Sequence, residues 1–224
     1  MSRVHPTQGK VDHVAAEIGV ARDRRPSSWT VWKKSSMAFQ GTDGFSVYDS
    51  EGMLSFRVDN YSRRLKSFEG EIVLMDGDGR ALLSLRPQFL SMHARWNVYE
   101  CEDSSNKRSK LRVFSMRRCS ILQSSDEAEV FMGSSTADSK STKPSFQMEG
   151  CFRRRCCKIR GSKGEEVAKI CPKKAGGGGG AAVMLGEDVF SLVVEPGVDC
   201  KLVMAFVVIM DRICRRSFTP LMCS

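Results

Sequence analysis

Cys151, Cys156, Cys157 and Cys171 stand beside a run of arginines in a chain of 224 residues with nine cysteines and three histidines. Metal binding and thiolate chemistry are what such residues could do. A structural zinc site pairs its ligands in Cys-x(2–4)-Cys spacing. Here the intervening residues number four, none and thirteen, with no histidine near, so no metal site is expected. Ordinary barrel cysteines are the better reading, but Arg153, Arg154 and Arg155 would favour thiolates beside them, which makes Cys156 and Cys157 the thiols to test with a labelling reagent. Asp76-Gly77-Asp78-Gly79 opens like a calcium loop, but the sixth position is Ala81 and the twelfth Pro87 where Gly and Glu are required; a hairpin turn is the better reading. His5, His13 and His93 bring no nucleophile and orienting group with them, and Gly176–Gly180 lacks the Gly-Lys-Ser/Thr of a phosphate loop. The residues predict a protein that is not an enzyme and takes no cofactor.

Charge placement exceeds background. The whole chain carries a formal +9, and between Phe152 and Lys174 nine basic residues face only Glu165 and Glu166, a local net of +7. Arg153, Arg154, Arg155, Lys158, Arg160 and Lys163 form the candidate lipid- or anion-binding segment, because polybasic surfaces attract anionic partners. The competing reading places these charges on the solvent side of two strands, where alternation points them outward. Smaller basic groups lie at Arg63, Arg64 and Lys66, at Arg117 and Arg118, and at Arg212, Arg215 and Arg216.

The elements that must position these residues are strands. Trp29 and Val31, Phe45 and Val47, and Leu54, Phe56 and Val58 alternate with polar neighbours, the period of a half-buried strand. Asp49-Ser50-Glu51-Gly52 and Asp76-Gly77-Asp78-Gly79 each separate two apolar runs, as hairpin turns do. Further strands are expected over 96–100, 111–116, 120–122, 129–132, 146–149, 156–160, 167–170 and 189–194. That number favours a barrel or sandwich over an open sheet. Residues 1–28 read as a mobile leader without periodicity, 102–110, 134–145 and 173–181 as surface loops, and 217–224 as a short tail.

Leu202 to Met210 is a run of nine apolar residues. A transmembrane helix needs about 20, so this run is a buried strand or a short helix apolar on every side. Periodicity alone leaves both open.

The stretches TVWKKSSMAF (30–39), GFSVYDSEGMLSFRVDNY (44–61), GEIVLMDGDGRALLSLRPQFLSMHARWNVYE (70–100) and DVFSLVVEPGVDCKLVMAFVVIMDRI (188–213) resemble the plant LURP-one-related family, of the tubby C-terminal-like superfamily that also holds phospholipid scramblases. The resemblance implies a mainly β domain over 29–216: a closed, largely antiparallel barrel of twelve strands around a central hydrophobic helix at about 198–213. Leu202, Val203, Ala205, Phe206, Val207, Val208, Ile209 and Met210 would then form the helix core. It further implies a non-enzymatic binding or regulatory protein, tethered to phosphoinositide or another anionic membrane lipid and linked to plant defence or transcriptional regulation. A scramblase-like lipid-interacting protein and a nucleic-acid-binding protein using the basic face are the alternatives. A monomer is expected, with no protein partner identified. The N-terminus lacks a secretory signal, so a cytoplasmic protein is expected, peripheral at the plasma membrane or nuclear, with reduced thiols and no transmembrane helix.

Overall fold

The computed structural model describes residues 25–34, 44–58, 70–88, 91, 94–101, 111–119, 126–133, 143–175 and 183–215. The three histidines, the strand expected at 120–122, loop 102–110, the glycine tract, Arg63, Arg64, Lys66, Arg216, the 217–224 tail and all but the end of the leader lie outside them. β1 (Ser27–Lys34) begins two residues before the expected Trp29. It is followed by β2 (Gly44–Tyr48), β3 (Leu54–Val58), β4 (Ile72–Asp76), β5 (Ala81–Pro87), β6 (Trp96–Glu100), β7 (Arg112–Arg118), β8 (Ala128–Met132), β9 (Phe146–Cys151), β10 (Cys156–Gly161) and β11 (Glu166–Pro172). β12 (Lys174–Ala175), β13 (Val183–Met184), β14 (Val189–Val194) and one helix, α1 (Cys200–Arg215), complete the chain.

Each barrel strand pairs antiparallel with the next, and β14 closes the ring between β11 and β1. Twelve strands alternate in direction around the barrel, and the even number lets the closing pair be antiparallel as well. β12 and β13 stand apart as a two-stranded ladder, so the flanks of the segment expected as loop 173–181 are paired. The two repeated turns use one device. Asp49 Oδ1 accepts from the amides of Glu51 and Met53 at 2.9 Å each, and Asp76 Oδ1 accepts from Arg80 N at 2.8 Å. Gly52 and Gly79 close them at φ +83° and +91°, where a side chain would be strained. The Asp76 carboxylate is thus engaged by its own hairpin, as a turn requires.

Alternation fixes the core. Phe45 and Val47, Ile72 and Leu74, Leu83 and Leu85, Trp96 and Val98, and Phe114 and Met116 are buried on the inner face, with their counterparts on the other strands. A barrel of about eight strands can be filled by its own side chains; a wider one leaves a lumen. α1 fills this one. Val203 through Cys214 are all buried, and the Phe206 ring lies 4.9 Å from Phe114 and 5.5 Å from Phe146. Leu202 is half-buried against the same core.

The helix starts at Cys200 rather than 198 because Asp199 caps it: its Oδ1 accepts from Lys201 N at 2.8 Å and its carbonyl from Val203 N. Ahead of the cap, Glu195-Pro196-Gly197-Val198 makes a tight turn closed by Val198 N on the Glu195 carbonyl, with Gly197 at φ +83°. At its other end the helix continues through Asp211 and Arg212, both buried.

Burying a Val, Leu, Ile, Phe or Met side chain stabilises by about 1.5–3 kcal/mol, so α1 contributes on the scale of a domain's whole net stability, about 5–15 kcal/mol. Val207→Asp should yield no soluble folded protein, and Phe206→Ala should cost about 3–5 kcal/mol in urea unfolding. A well-folded V207D protein by circular dichroism would contradict a helix enclosed on every side.

Candidate functional site at the C-terminal end of the helix

The six basic residues singled out by the sequence fall into two groups. Arg153, Arg154 and Arg155 form the β9–β10 hairpin loop, closed by Arg155 N donating to the Phe152 carbonyl at 3.0 Å. Lys158 and Arg160 lie along β10, and Lys163 lies in the turn beyond it. A strand of six residues spans about 17 Å, so the loop and Lys163 sit at opposite ends of the barrel wall.

Along the strand the charge is locally matched. Lys158 Nζ is 2.9 Å from Glu166, and Arg160 Nε is 2.8 Å from Glu149. Arg160 also donates to the Gly164 carbonyl at 3.0 Å. The hydrogen bond from Lys158 holds the Glu166 carboxyl below its ordinary range. These contacts are the outward-pointing pattern that alternation predicts.

At the loop the three arginines diverge. Arg155 is 6% exposed, at φ +54°. Its guanidinium lies 4.7 Å from the Phe152 ring and 4.3 Å from the Phe190 ring. Nε donates to the Glu187 carbonyl at 2.9 Å and Nη1 to the Phe152 carbonyl at 3.4 Å, while Nη2 is 3.8 Å from Asp211 Oδ1. Asp211, on the last turns of α1, is also held by Lys33 Nζ of β1 at 2.9 Å. Burial pushes the Arg155 guanidinium below its ordinary value, and Asp211, Asp188 and Glu187 oppose that shift. The outcome is a buried cluster of two cations on one carboxylate, joining β1, the hairpin loop and the helix.

Arg153 covers the helix end. Its Nη2 donates to the Cys214 carbonyl at 3.3 Å, satisfying an acceptor that the helix terminus leaves open. Its backbone amide donates to Asp126 Oδ2 at 3.3 Å. Arg154 stands exposed. Around these residues lie a cleft of about 370 Å³, bounded by Lys33, Phe152, Arg153, Arg155 and Asp211, and a neighbouring one of about 240 Å³ that adds Arg154, Leu185 and Val189. Leu185 is 37% exposed in the second cleft, and Trp32, 46% exposed, lies opposite Val189 in the β1–β14 ladder. Among the described residues, no group of His, Cys, Asp or Glu is arranged to hold a metal ion.

The thiols separate in the same way. Cys157 faces the core, and burial, with Asp126 as the next cause, pushes its thiol up to about 12, so of the two thiols marked for labelling Cys157 is the unreactive one. Cys156 beside it is exposed. Three cues were missed in the sequence: Asp211 as an acceptor, Lys33 as its partner, and Asp126 as the anchor of the loop. The pairing of Asp211 with Lys33 spans 178 residues, and only the closed topology brings them together.

Removing the shared carboxylate should be costly, because it leaves two buried cations facing each other. Asp211→Asn should lose about 3–5 kcal/mol in urea unfolding, whereas Lys158→Ser, on an exposed pair, should be indistinguishable from the parent. Equal effects would contradict a difference between core and surface ion pairs.

The sequence profile of the LURP-one-related family matches residues 27–211. Among curated proteins of Arabidopsis thaliana, LURP-one-related 5 is 37% identical over 182 residues, covering 81% of this chain and 80% of its own length. LURP-one-related 12 is 36% identical over 80% of this chain and 75% of its own, and LURP-one-related 17 is 34% identical over 92% and 90%. An X-ray structure of an Arabidopsis thaliana protein, 21% identical, superimposes with a TM-score of 0.55 over 85% of this chain and 92% of that one, a likeness of fold. The match covers every barrel strand and the helix through Asp211, and the chain belongs to the LURP-one-related family.

Proposed function

We propose that this protein is a non-enzymatic binding module that docks the barrel end around Arg153, Arg154 and the C-terminus of α1 onto an anionic lipid surface, phosphoinositides included. The observation that supports this is the coincidence, at one end of the barrel, of exposed apolar side chains with basic ones. Leu185 and Val189 line the smaller cleft with Arg153 and Arg154, exposed Trp32 lies opposite Val189 in the β1–β14 ladder, and Lys174 pairs with Met184 next to Leu185. Tryptophan favours the interface between headgroup and hydrocarbon, and each basic residue near an anionic surface adds about 1 kcal/mol. Glu187 and Asp211 lie at the same end and temper the field; Lys33 and Arg155 balance Asp211.

The filled lumen directs binding outward, since α1 occupies the space where another barrel would hold a ligand. A scramblase-like role would need the apolar helix in the bilayer. No helix among the described residues is long and apolar enough to cross a membrane, and α1 would have to leave the core that it completes. A link to plant defence or transcriptional regulation would follow from what is recruited at that surface.

The test is flotation with phosphatidylcholine vesicles, plain or carrying phosphatidylserine and phosphatidylinositol bisphosphate. Arg154→Ser combined with Lys174→Ser should weaken partitioning onto anionic vesicles by about 30-fold, two contributions of about 1 kcal/mol each. Lys158→Ser with Arg160→Ser should change it little, because Glu166 and Glu149 already match those charges. Equal binding to neutral and anionic vesicles, or no response to the first pair, would sink the proposal. Retention of duplex DNA that survives competition by the vesicles would point to the nucleic-acid alternative.

A further inference from the structure

We propose that Cys151 and Cys156 are a redox pair that closes into a disulfide across the base of the β9–β10 hairpin. The two cysteines are direct partners in the antiparallel ladder, the last pair before the loop. Residues opposed in this way have Cα atoms about 4.5–5.5 Å apart, inside the range of about 4.4–6.8 Å that a disulfide accepts. Directly opposed residues also project their side chains from the same side of the ladder.

Local backbone geometry holds the register. Gly150, at φ +105°, lies where a Cβ would collide with the Cys156 carbonyl, so the strands approach closely just before the pair. In the reduced protein the Cys151 thiol is 3.7 Å from Asp126 Oδ2. A χ1 rotation turns its sulfur from Asp126 toward the partner strand.

Two of the other thiols nearby are less suited, and the third, Cys171, is the competitor that the experiment separates. Cys157 faces the core, and Cys214 is buried with its thiol hydrogen-bonded to Asp126. Cys171 is half-buried on β11, one step beyond the Cys157–Ile170 pair, and so flanks Cys156 on its other side. Cys156 is the exposed member of this row and Cys151 its ladder partner.

The chemistry is a two-electron oxidation by a hydroperoxide. Cys156 Sγ attacks the peroxide, the O–O bond breaks, and a sulfenic acid and water form. Cys151 Sγ then attacks that sulfur, the S–S bond forms, and the hydroxyl leaves as a second water carrying the thiol proton. Two thiols and one hydrogen peroxide become one disulfide and two waters. A dithiol reductant reverses the step. The closed ring encloses Phe152–Arg155 and removes the Cys151 thiol from Asp126, which also accepts the Arg153 amide. This inference does not depend on lipid docking.

The experiment treats the folded, reduced full-length protein with hydrogen peroxide, alkylates it and maps tryptic peptides. Trypsin places Cys151 in a peptide ending at Arg153, Cys156 with Cys157 in Cys156–Lys158, and Cys171 in Ile170–Lys173. The expected product joins the first two peptides, disappears with dithiothreitol and with Cys156→Ser, and persists with Cys157→Ser. Where Cys156→Ser fails to fold, fragmentation between Cys156 and Cys157 in the parent protein identifies the linked sulfur. Linkage to the Cys171 peptide, linkage through Cys157, or oxidation of Cys156 to its acids with Cys151 still free would each overturn the pairing.

Discussion

A ring of twelve strands encloses more space than its inward side chains can fill, and the rest of this structure follows from filling it. The filler has to be apolar on every side, because each face of α1 meets a strand. It has to be a helix, since only a helix satisfies its own backbone hydrogen bonds without an edge. The nine-residue run Leu202 to Met210 is therefore a requirement of the barrel. The same requirement places any ligand site at the ends or on the outer wall, because the centre is taken.

A filled barrel still has to end its filler. The helix leaves its last carbonyls open and carries Asp211 and Arg212 into the buried region. Arg153 meets the Cys214 carbonyl, and Lys33 and Arg155 meet Asp211. Arg155 suits its place through shape as well as charge. A planar guanidinium can stack between Phe152 and Phe190 while donating to two carbonyls, and a lysine ammonium offers no such plane. The loop that carries the most concentrated basic sequence in the chain is thus fastened into the core by one of its three arginines, and this fixes where Arg154 is displayed.

The barrel was legible in the sequence because alternation is local. The barrel strands appear as period-2 or short apolar runs, and the two Asp-to-Gly turns mark their hairpins. The helix run was legible as buried, but only the family resemblance separated helix from strand. The start of α1 at Cys200 was also readable, since Asp199 is a good cap that pattern alone passed over. What could not be read was the fate of individual charges. Three adjacent arginines look alike in sequence; φ +54° at Arg155 turns one inward, and no periodicity encodes that angle. Lys33 and Asp211 meet across 178 positions, a contact set by closure of the ring. Cys156 and Cys157 are likewise adjacent in sequence and opposite in environment, separated by the pleat alone.

Local net charge therefore overstates the field that a partner would meet. The +7 between Phe152 and Lys174 already sets Glu166 against Lys158, but it counts Arg160 in full, whose partner Glu149 lies on β9. It also counts Arg155, whose charge is spent on Asp211 inside the protein. Glu149 and Asp211 lie outside the segment in sequence and beside it in space. What remains exposed at the helix end is a smaller basic set next to Trp32 and Leu185. Apolar and basic groups together favour an interface with both a charged and a greasy layer, whereas a polyanion in water would use the charge alone. The proposed lipid docking thus depends less on the amount of charge than on the apolar neighbours of the accessible charge.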